Sequence, residues 1–234
     1  MTRPLGILGG MSWESTASYY RLLNEGVRDA RGGLHSAPLL LHSVDFAGIA
    51  ALQKAGDWAT AGEQLAAAAG GLELAGAGAL LLATNTMHKV AATIEAAVNI
   101  PLLHIGDAVG QALHQAGIQR VALLGTRFTM QEAFYRERLS QRFAITVQVP
   151  DATAMAEIDR VIFEELCRGQ FHERARTFYL EQLQRLREQG AEAAILGCTE
   201  IGLLLEGCSS PLPLYDSTAL HVDMGLGWLL EQRR

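Results

Sequence analysis

The sequence predicts an α/β fold with parallel sheets, built as two similar halves. Short apolar runs alternate with longer stretches of helical periodicity along the chain, and few connections carry hairpin signals. Strands that alternate with helices in this way form parallel sheets covered by helices. Two different strand-end motifs also recur about half a chain apart, which indicates an internal repeat.

The first half of the chain supplies four of the predicted strands. They are the apolar runs LGILGG, APLLLHS, GALLLA and PLLH, which have the length of strands rather than of core helices. Helical periodicity covers three segments, 13–29, 57–76 and 86–98. Ser12 or Ser15 can cap the first helix and Asp57 the second, because short polar side chains accept hydrogen bonds from the unpaired N–H groups of a first turn.

The second half repeats this alternation. Its strands are predicted from the runs RVALLGT, ITVQV, AAILGC and LPLY. Its helices are predicted over six segments, 106–116, 129–142, 155–168, 171–189, 200–206 and 217–232. Thr129 is the expected cap of one helix, and Asp216 or Ser217 of the last. Gly117 and Gly190 follow predicted helix ends, where glycine is common.

Composition excludes several classes of partner. Hydrophobic residues make up 49% of the chain, but no apolar run reaches the roughly 18–20 residues of a membrane span. The net charge of −6, without a run of Lys or Arg, gives no footprint for nucleic acid. The apolar stretch in MTRPLGILGG is too short for a secretory signal, so we expect a cytoplasmic protein. Cys167, Cys198 and Cys208 form neither a disulfide framework nor a C-x-x-C metal pattern, so no metal is expected.

The internal repeat predicts the domain organisation. LGILGGMS resembles VALLGTRF, 116 positions from Gly9 to Gly125, and LLLATNTMHKV resembles AAILGCTEIGL, 114 positions from Thr84 to Cys198. Two motifs that recur at nearly one offset indicate two α/β halves. The predicted halves are residues 1–104 with 208–234, and residues 105–207.

Polar clusters follow four of the predicted strands, where ligands bind in open α/β sheets. Loops and helix N-termini at these strand ends offer N–H groups that favour anions. The clusters are residues 9–12, 84–86, 125–126 and 198–200. We predict that they meet at one cleft between the halves, with Thr84 and Cys198 on opposite faces of a small anionic ligand.

Cys198 is the candidate for proton chemistry. A free cysteine has a pKa of about 8.5, and a helix N-terminus lowers that pKa by favouring the thiolate. We therefore expect Cys198 to act as a base near neutral pH. An inert thiol in a core strand is the alternative, and the polar residues Thr199 and Glu200 directly after it argue against that alternative.

Three motifs together carry a family resemblance. LGGMSWEST, TNTMHK and LGCTEIG occur in this order and span essentially the whole chain. The sequence thereby resembles the aspartate/glutamate racemase superfamily, and within it the branch of enterobacterial broad-specificity amino-acid racemases. The resemblance implies two Rossmann-like halves related by a pseudo-twofold axis, isomerase activity on an amino acid without pyridoxal phosphate or metal, and a homodimer. It also implies two cysteines on opposite faces of the substrate α-carbon. Cys198 matches the second, whereas Thr84 stands where most members carry the first.

This threonine makes the expected chemistry asymmetric. A hydroxyl is a much weaker acid than a thiol, so Thr84 can donate or relay a proton but cannot usefully ionise as a carbon base. The resemblance implies that Cys198 faces the L enantiomer. We therefore expect Cys198 to remove the α-proton of the L form and Thr84, alone or through a water, to protonate the other face, so that L to D conversion outruns the reverse.

The remaining site residues are expected to hold the substrate. They are Met11, Ser12, Gln53, Asn85, Thr86, Thr126, Glu165, Thr199 and Glu200. Asn85 and Thr86 can cradle the substrate carboxylate, since polar groups in a water-poor cleft need partners. Glu200 can hold the ammonium group or orient the Cys198 loop, or it is simply an acidic residue favoured in a first helical turn.

Alternatives are open for Met11, Gln53 and His88. Met11 is either a substrate contact or a core residue, and Gln53 either reaches the site or lies on a solvated helix face. His88, one helical turn after Thr84, either orients the site or is a surface or capping histidine.

Relatives specific for aspartate carry an arginine after the second strand and a lysine near Glu165. SVDFAGI has no arginine, so Arg168 could substitute or the pocket prefers another side chain.

Other functions also remain open. The superfamily includes arylmalonate decarboxylases, which retain only the second cysteine, as well as maleate isomerases and hydantoin racemases. One-cysteine protonation is chemically coherent with Thr84 in place. A catalytically inactive amino-acid-binding protein is another reading. A dinucleotide enzyme is disfavoured because GILGGM lacks the full G-x-G-x-x-G spacing.

Overall fold

The computed structural model describes residues 3–232, which form two units, each around a parallel sheet. The first unit contains the chain up to Ile105 and again from His221, and the second contains Gly106–Leu220. Residues 1, 2, 233 and 234, predicted as part of the first half, lie outside the described residues. The predicted α/β class with two similar halves is confirmed. No helix in this described stretch is long and apolar enough to cross a membrane.

Each sheet has four strands among residues 3–232, and all of them are parallel. The first sheet contains β1 (Leu5–Gly9), β2 (Leu39–Ser43), β3 (Ala79–Leu82) and β4 (Leu102–Leu103), in the order β2-β1-β3-β4. The second sheet contains β5 (Arg120–Gly125), β6 (Thr146–Gln148), β7 (Ala193–Gly197) and β8 (Leu214–Asp216), in the order β6-β5-β7-β8. Both sheets therefore connect their strands in the same way.

The register of the central strands repeats as well. Leu8 of β1 pairs with Leu82 of β3, and Leu124 of β5 pairs with Leu196 of β7. Moving 116 positions from Leu8 leads to Leu124, and moving 114 positions from Leu82 leads to Leu196. Applied to the residue pair of the first sheet, the two sequence offsets thus give the residue pair of the second sheet, which confirms the internal repeat.

The described part of the chain contains eleven α-helices, of which all but the last lie between strands. They are α1 (Trp13–Arg31), α2 (Phe46–Ala55), α3 (Trp58–Leu74), α4 (Ala91–Ala97), α5 (Ile105–Gln115), α6 (Arg127–Gln131), α7 (Ala133–Phe143), α8 (Ala152–Glu164), α9 (Glu173–Glu188), α10 (Thr199–Leu205) and α11 (Ser217–Glu231). Short 3-10 helices span Thr86–Val90 and Leu166–Arg168. The single helix predicted over 129–142 is two helices, because Glu132 is extended.

Most of the predicted caps are confirmed. The Ser12 side chain accepts from the Ser15 N–H, and the Asp57 carboxylate accepts from the Thr60 N–H. Asp216 caps α11 in the same way. Thr129 was wrongly predicted as a cap, because α6 begins two residues earlier, at Arg127, and its N-cap is Thr126.

Alternate residues of the first sheet face opposite layers of helices, as expected for strands buried on both faces. Leu5 and Ile7 belong to an apolar cluster with side chains of α1 and α11. Leu8 and Leu82 belong to a second cluster with α3 and α4. The continuous apolar runs in the sequence reflect this two-sided burial.

The boundary of the second unit differs from the predicted one. Residues 208–220 were assigned to the first half but belong to the second unit. The reason is β8, which pairs with β7 through Leu196 and Asp216. Main-chain hydrogen bonds therefore hold this segment to the second sheet, and the chain rejoins the first unit only at His221.

Candidate active site

The turn after β1 is tightly built and brings its main chain close to the next segment. The Gly10 N–H donates to Thr16 Oγ1 at 2.8 Å, and the Thr16 hydroxyl donates to the Ser12 carbonyl at 2.8 Å. Gly10 has φ +95°, and a Cβ there would collide with the main chain of Val44. Only glycine fits this conformation without strain, so Gly10 holds Met11 and Ser12 at the carboxyl end of β1.

β3 neighbours β1, so the turn at Thr84 lies at the same edge of the first sheet. Thr84 is partly buried, and Asn85, Thr86 and His88 are buried. His88 Nδ1 lies 2.7 Å from the Thr84 carbonyl, and the Ile105 N–H donates to His88 Nε2 at 3.2 Å. An amide N–H can only donate, so Nε2 carries no proton and Nδ1–H donates to the carbonyl. The surface interpretation of His88 is therefore wrong.

Met11 and Gln53 are both buried near Met87. The Gln53 amide donates to the Met87 sulfur at 2.9 Å, and Met11 belongs to the same apolar cluster as Met87. A solvated helix face is therefore excluded for Gln53. Contact of either residue with a substrate stays a prediction.

The second unit places a thiol and a carboxylate together at the end of β7. Cys198 precedes α10, and its Sγ–H donates to Glu200 Oε2 at 3.0 Å. Although Cys198 as a residue is only partly buried, the protein packed around its sulfur raises the pKa of the thiol well above its usual value. The Glu200 carboxylate raises this pKa further, because it disfavours a second negative charge.

The expected depression of the Cys198 pKa is therefore wrong. A hydrogen bond from the Glu200 N–H does lower this pKa, as an N-terminal amide should. Burial and the Glu200 carboxylate outweigh it. In the resting protein Cys198 is accordingly a thiol whose proton already points at an acceptor.

Thr126 lies at the same edge of the second sheet as Cys198. It follows β5, the neighbour of β7, and its hydroxyl lies 3.1 Å from Thr129 Oγ1. Gly125 and Gly197 are paired across the two strands, so the turns at Thr126 and Cys198 start level with each other. Thr199 is the first residue of α10 and is partly buried.

Glu165 is held in an ion-pair network. Its side chain is buried, and Oε1 accepts from Arg160 at 3.0 Å and from Arg174 at 2.7 Å. Its Oε2 is buried and has no hydrogen-bond partner within residues 3–232. The 3-10 helix Leu166–Arg168 that follows packs against α10. A substrate contact by Glu165 stays a prediction, and it depends on Oε2.

Sequence reasoning missed a second buried histidine, His221. Its Nε2 lies 2.6 Å from the Leu103 carbonyl, which can only accept, so Nε2 carries the proton and Nδ1 accepts from the Tyr19 hydroxyl at 2.8 Å. Burial lowers the pKa of His221 to about 4. Tyr19 and His221 are 202 positions apart, so no local pattern could have paired them.

The predicted residues thus gather in two sets, one in each unit. Met11, Ser12 and residues 84–86 follow neighbouring strands of the first sheet, and Thr126 with residues 198–200 follows neighbouring strands of the second. In the described ranges, no group of three or more His, Cys, Asp or Glu side chains could hold a metal ion.

The family assignment follows from comparison with known proteins. The chain matches the family described as Asp/Glu/Hydantoin racemase over residues 8–225. The chain belongs to the Asp/Glu/hydantoin racemase family. Its activity is therefore of the racemase type, and the enzyme class is that of the isomerases.

Solved structures of this racemase family agree over the full length. A Yersinia pestis protein described as a suggested Asp/Glu racemase is 47% identical, with a TM-score of 0.92, and the match covers 97% of this chain and 99% of that one. An aspartate racemase homologue from Pyrococcus horikoshii OT3 is 30% identical, with a TM-score of 0.84, over 99% of this chain and 100% of that one. The aspartate racemase of Picrophilus torridus shares the fold at 20% identity and a TM-score of 0.74, covering 96% and 94%.

Proposed function

We propose that this protein is an amino-acid racemase of the aspartate/glutamate type that works without pyridoxal phosphate or another cofactor. Cys198 and Thr84 serve opposite faces of the substrate α-carbon. Deuterium exchange is faster into L than into D substrate, because only Cys198 can act as a carbon base. Turnover (kcat) from L substrate exceeds that from D substrate, with KM differing in proportion, since two enantiomers have equal free energies and kcat/KM is therefore the same in both directions.

The observation that carries the proposal is the hydrogen bond from Cys198 Sγ–H to Glu200 Oε2 at 3.0 Å. A thiol whose pKa is raised by burial does not give its proton to bulk water at neutral pH, so it needs a local acceptor. Glu200 provides that acceptor at the strand end where the family resemblance expects the reactive cysteine.

The proposed proton transfers balance. As substrate binds, the Cys198 proton moves to Glu200, and the thiolate removes the α-proton of the L enantiomer. The electron pair of the broken C–H bond is left on the α-carbon and delocalises into the substrate carboxylate. The Thr84 hydroxyl donates its proton to the opposite face while it takes one from water, which leaves a hydroxide ion. Glu200 then releases its proton, which neutralises that hydroxide, and Cys198 ends as a thiol that holds the former α-proton.

The side-chain preference of the substrate is proposed to be broader than aspartate alone. The segment after β2 has no arginine, and Arg168 is exposed. Glu165 is buried and already binds two arginines. Within the described residues, these two segments therefore place no buried arginine or lysine where the relatives specific for aspartate carry one, and such cations are what a side-chain carboxylate prefers.

The proposal is tested by incubating single enantiomers of free amino acids in heavy water. Chiral separation and mass spectrometry then report deuterium at the α-carbon and inversion separately. We expect L substrate to gain deuterium and to yield deuterated D product. Cys198→Ala should abolish both, whereas Thr84→Ala should abolish inversion and retain exchange into L substrate. Equal, fast exchange from L and from D substrate would contradict the asymmetry, and tight amino-acid binding without exchange would support a binding protein.

One-cysteine decarboxylation is the second candidate. A protonated Cys198, with a threonine instead of a second thiol at the equivalent strand end of the first sheet, suits delivery of one proton to a carbanion. Carbon dioxide release from disubstituted malonates, without exchange of amino-acid α-protons, would favour this function over racemisation.

The cytoplasmic location and the homodimer stay predictions. Sedimentation equilibrium of the purified chain tests the second of them, and a mass near that of one chain would contradict it.

A further inference from the structure

A buried histidine lies directly behind the turn that carries Thr84. His88 is 2% exposed and sits in the 3-10 helix Thr86–Val90. We infer that His88 is a positioning residue, which fixes the main chain at Thr84 and thereby the direction of the Thr84 hydroxyl. This inference rests on the proposed function, because it concerns the proton delivery assigned to Thr84.

Both main-chain groups of Thr84 are held. The Thr84 N–H donates to the Leu82 carbonyl at 2.8 Å, and the Thr84 carbonyl accepts from His88 Nδ1–H at 2.7 Å. With its N–H and carbonyl fixed, the residue has little freedom in φ and ψ, so its Cα–Cβ bond points in one direction. The hydroxyl can then change position only by rotation about χ1, which is restricted for a β-branched side chain.

The ring of His88 is itself fixed. Its Nε2 accepts from the Ile105 N–H at 3.2 Å, so the ring joins the turn after β3 to the segment after β4. The ring of His104 packs 4.4 Å from it, and the ring of His221 5.6 Å from it, measured between centroids. The hydrogen bonds at its two nitrogens therefore hold the His88 ring in place, as a positioning residue requires.

Both hydrogen bonds of His88 described above go to main-chain groups. The ring therefore acts on Thr84 through the Thr84 carbonyl. His88 transfers no proton to the substrate itself. Its effect is on the position of the Thr84 hydroxyl.

Two substitutions at His88 separate its hydrogen bond to Thr84 from its hydrogen bond to Ile105. His88→Asn keeps an N–H donor near the position of Nδ1 and so retains the bond to the Thr84 carbonyl. His88→Gln puts its amide near the position of Nε2 and loses that bond. His221→Gln is the matched control, because it alters a buried histidine of the same cluster that makes no hydrogen bond to Thr84.

Each variant is incubated with L substrate in heavy water. The measured ratio is the amount of D product divided by the amount of L substrate that has gained deuterium. We expect His88→Gln to lower this ratio about tenfold or more, the size of effect that follows a misplaced reacting group. His88→Asn and His221→Gln should stay within about twofold of the unsubstituted protein, since the Thr84 carbonyl keeps its partner. A purely structural role would slow inversion and exchange together, and the ratio would not move.

Two results would overturn the inference: an unchanged ratio in His88→Gln, or an equal fall in all three variants. If the unsubstituted protein exchanges no α-proton, the proposed function fails, and the positioning claim is decided by NMR. The carbonyl ¹³C shift of Thr84 should then change in His88→Gln and stay in His88→Asn. No change in His88→Gln would refute the claim.

Discussion

Thr84 and Cys198 occupy equivalent positions after the third strand of each sheet, yet their chemistry differs. Cys198 has a carboxylate two residues on, at hydrogen-bond distance from its sulfur, and Thr84 has a histidine four residues on that binds its carbonyl. The turn after β7 therefore holds the proton of Cys198, and the turn after β3 fixes the main chain at Thr84. The motifs revealed both residues, but the direction of the Cys198 pKa depends on burial, which the motifs do not contain.

Glu200→Gln is expected to lower the pKa of the Cys198 thiol. Removing the carboxylate leaves the burial but takes away the negative charge that raises the pKa of Cys198. The thiolate should then form at lower pH. Alkylation of Cys198 by iodoacetamide, followed by peptide mass mapping over a pH series, should show its midpoint shifted to lower pH.

Glu206→Gln is the matched control for this experiment, because it removes the same charge at an exposed position just after α10. It should leave the alkylation midpoint in place. A midpoint for Glu200→Gln at the same or higher pH would mean that the carboxylate does not govern the thiol.

At the level of elements, a buried histidine ties α11 to the first sheet. His221 joins Tyr19 of α1 to the Leu103 carbonyl of β4, and burial lowers its pKa to about 4. An unfolded histidine has a pKa of about 6.5. Between these values the unfolded chain binds a proton that the folded chain does not, so the contribution is fully present above pH 6.5 and is lost as pH falls to about 4.

We therefore expect His221 to make the free energy of unfolding fall by roughly 3 kcal/mol between pH 6.5 and 4, at about 1.4 kcal/mol per pH unit. His221→Gln should lower stability at neutral pH but show a shallower fall over this range. Urea unfolding at a series of pH values measures the difference, with His35→Gln, at an exposed histidine, as control. Identical slopes for His221→Gln and the unsubstituted protein would contradict the assignment.

At the level of the whole molecule, the internal repeat made the two similar halves predictable from the sequence. The strands follow from apolar runs, because strands buried on both faces leave a clear local pattern, and the correspondence between the halves follows from two motif offsets. The helix over Phe46–Ala55 was not among the predicted segments, and residues 208–220 were assigned to the wrong half. That segment is placed by pairing of β8 with β7, a long-range contact with no local signature.

The same limit applies to the candidate site. Residues at strand ends were found from their motifs, since the carboxyl edge of a parallel sheet is set by topology. Buried contacts between distant parts of the chain were not found, such as that of Tyr19 with His221, 202 positions away. Periodicity carries no information about them.

Cys198 and Thr84 are proposed to serve opposite faces of one α-carbon. A crystal structure of the protein with a bound amino acid would show whether they do. We expect Cys198 Sγ and Thr84 Oγ1 to lie on opposite sides of that α-carbon, each within about 3–3.5 Å or one bridging water of it. An amino acid bound against only one of the two side chains, with the other directed into a separate cavity, would refute this assignment of roles.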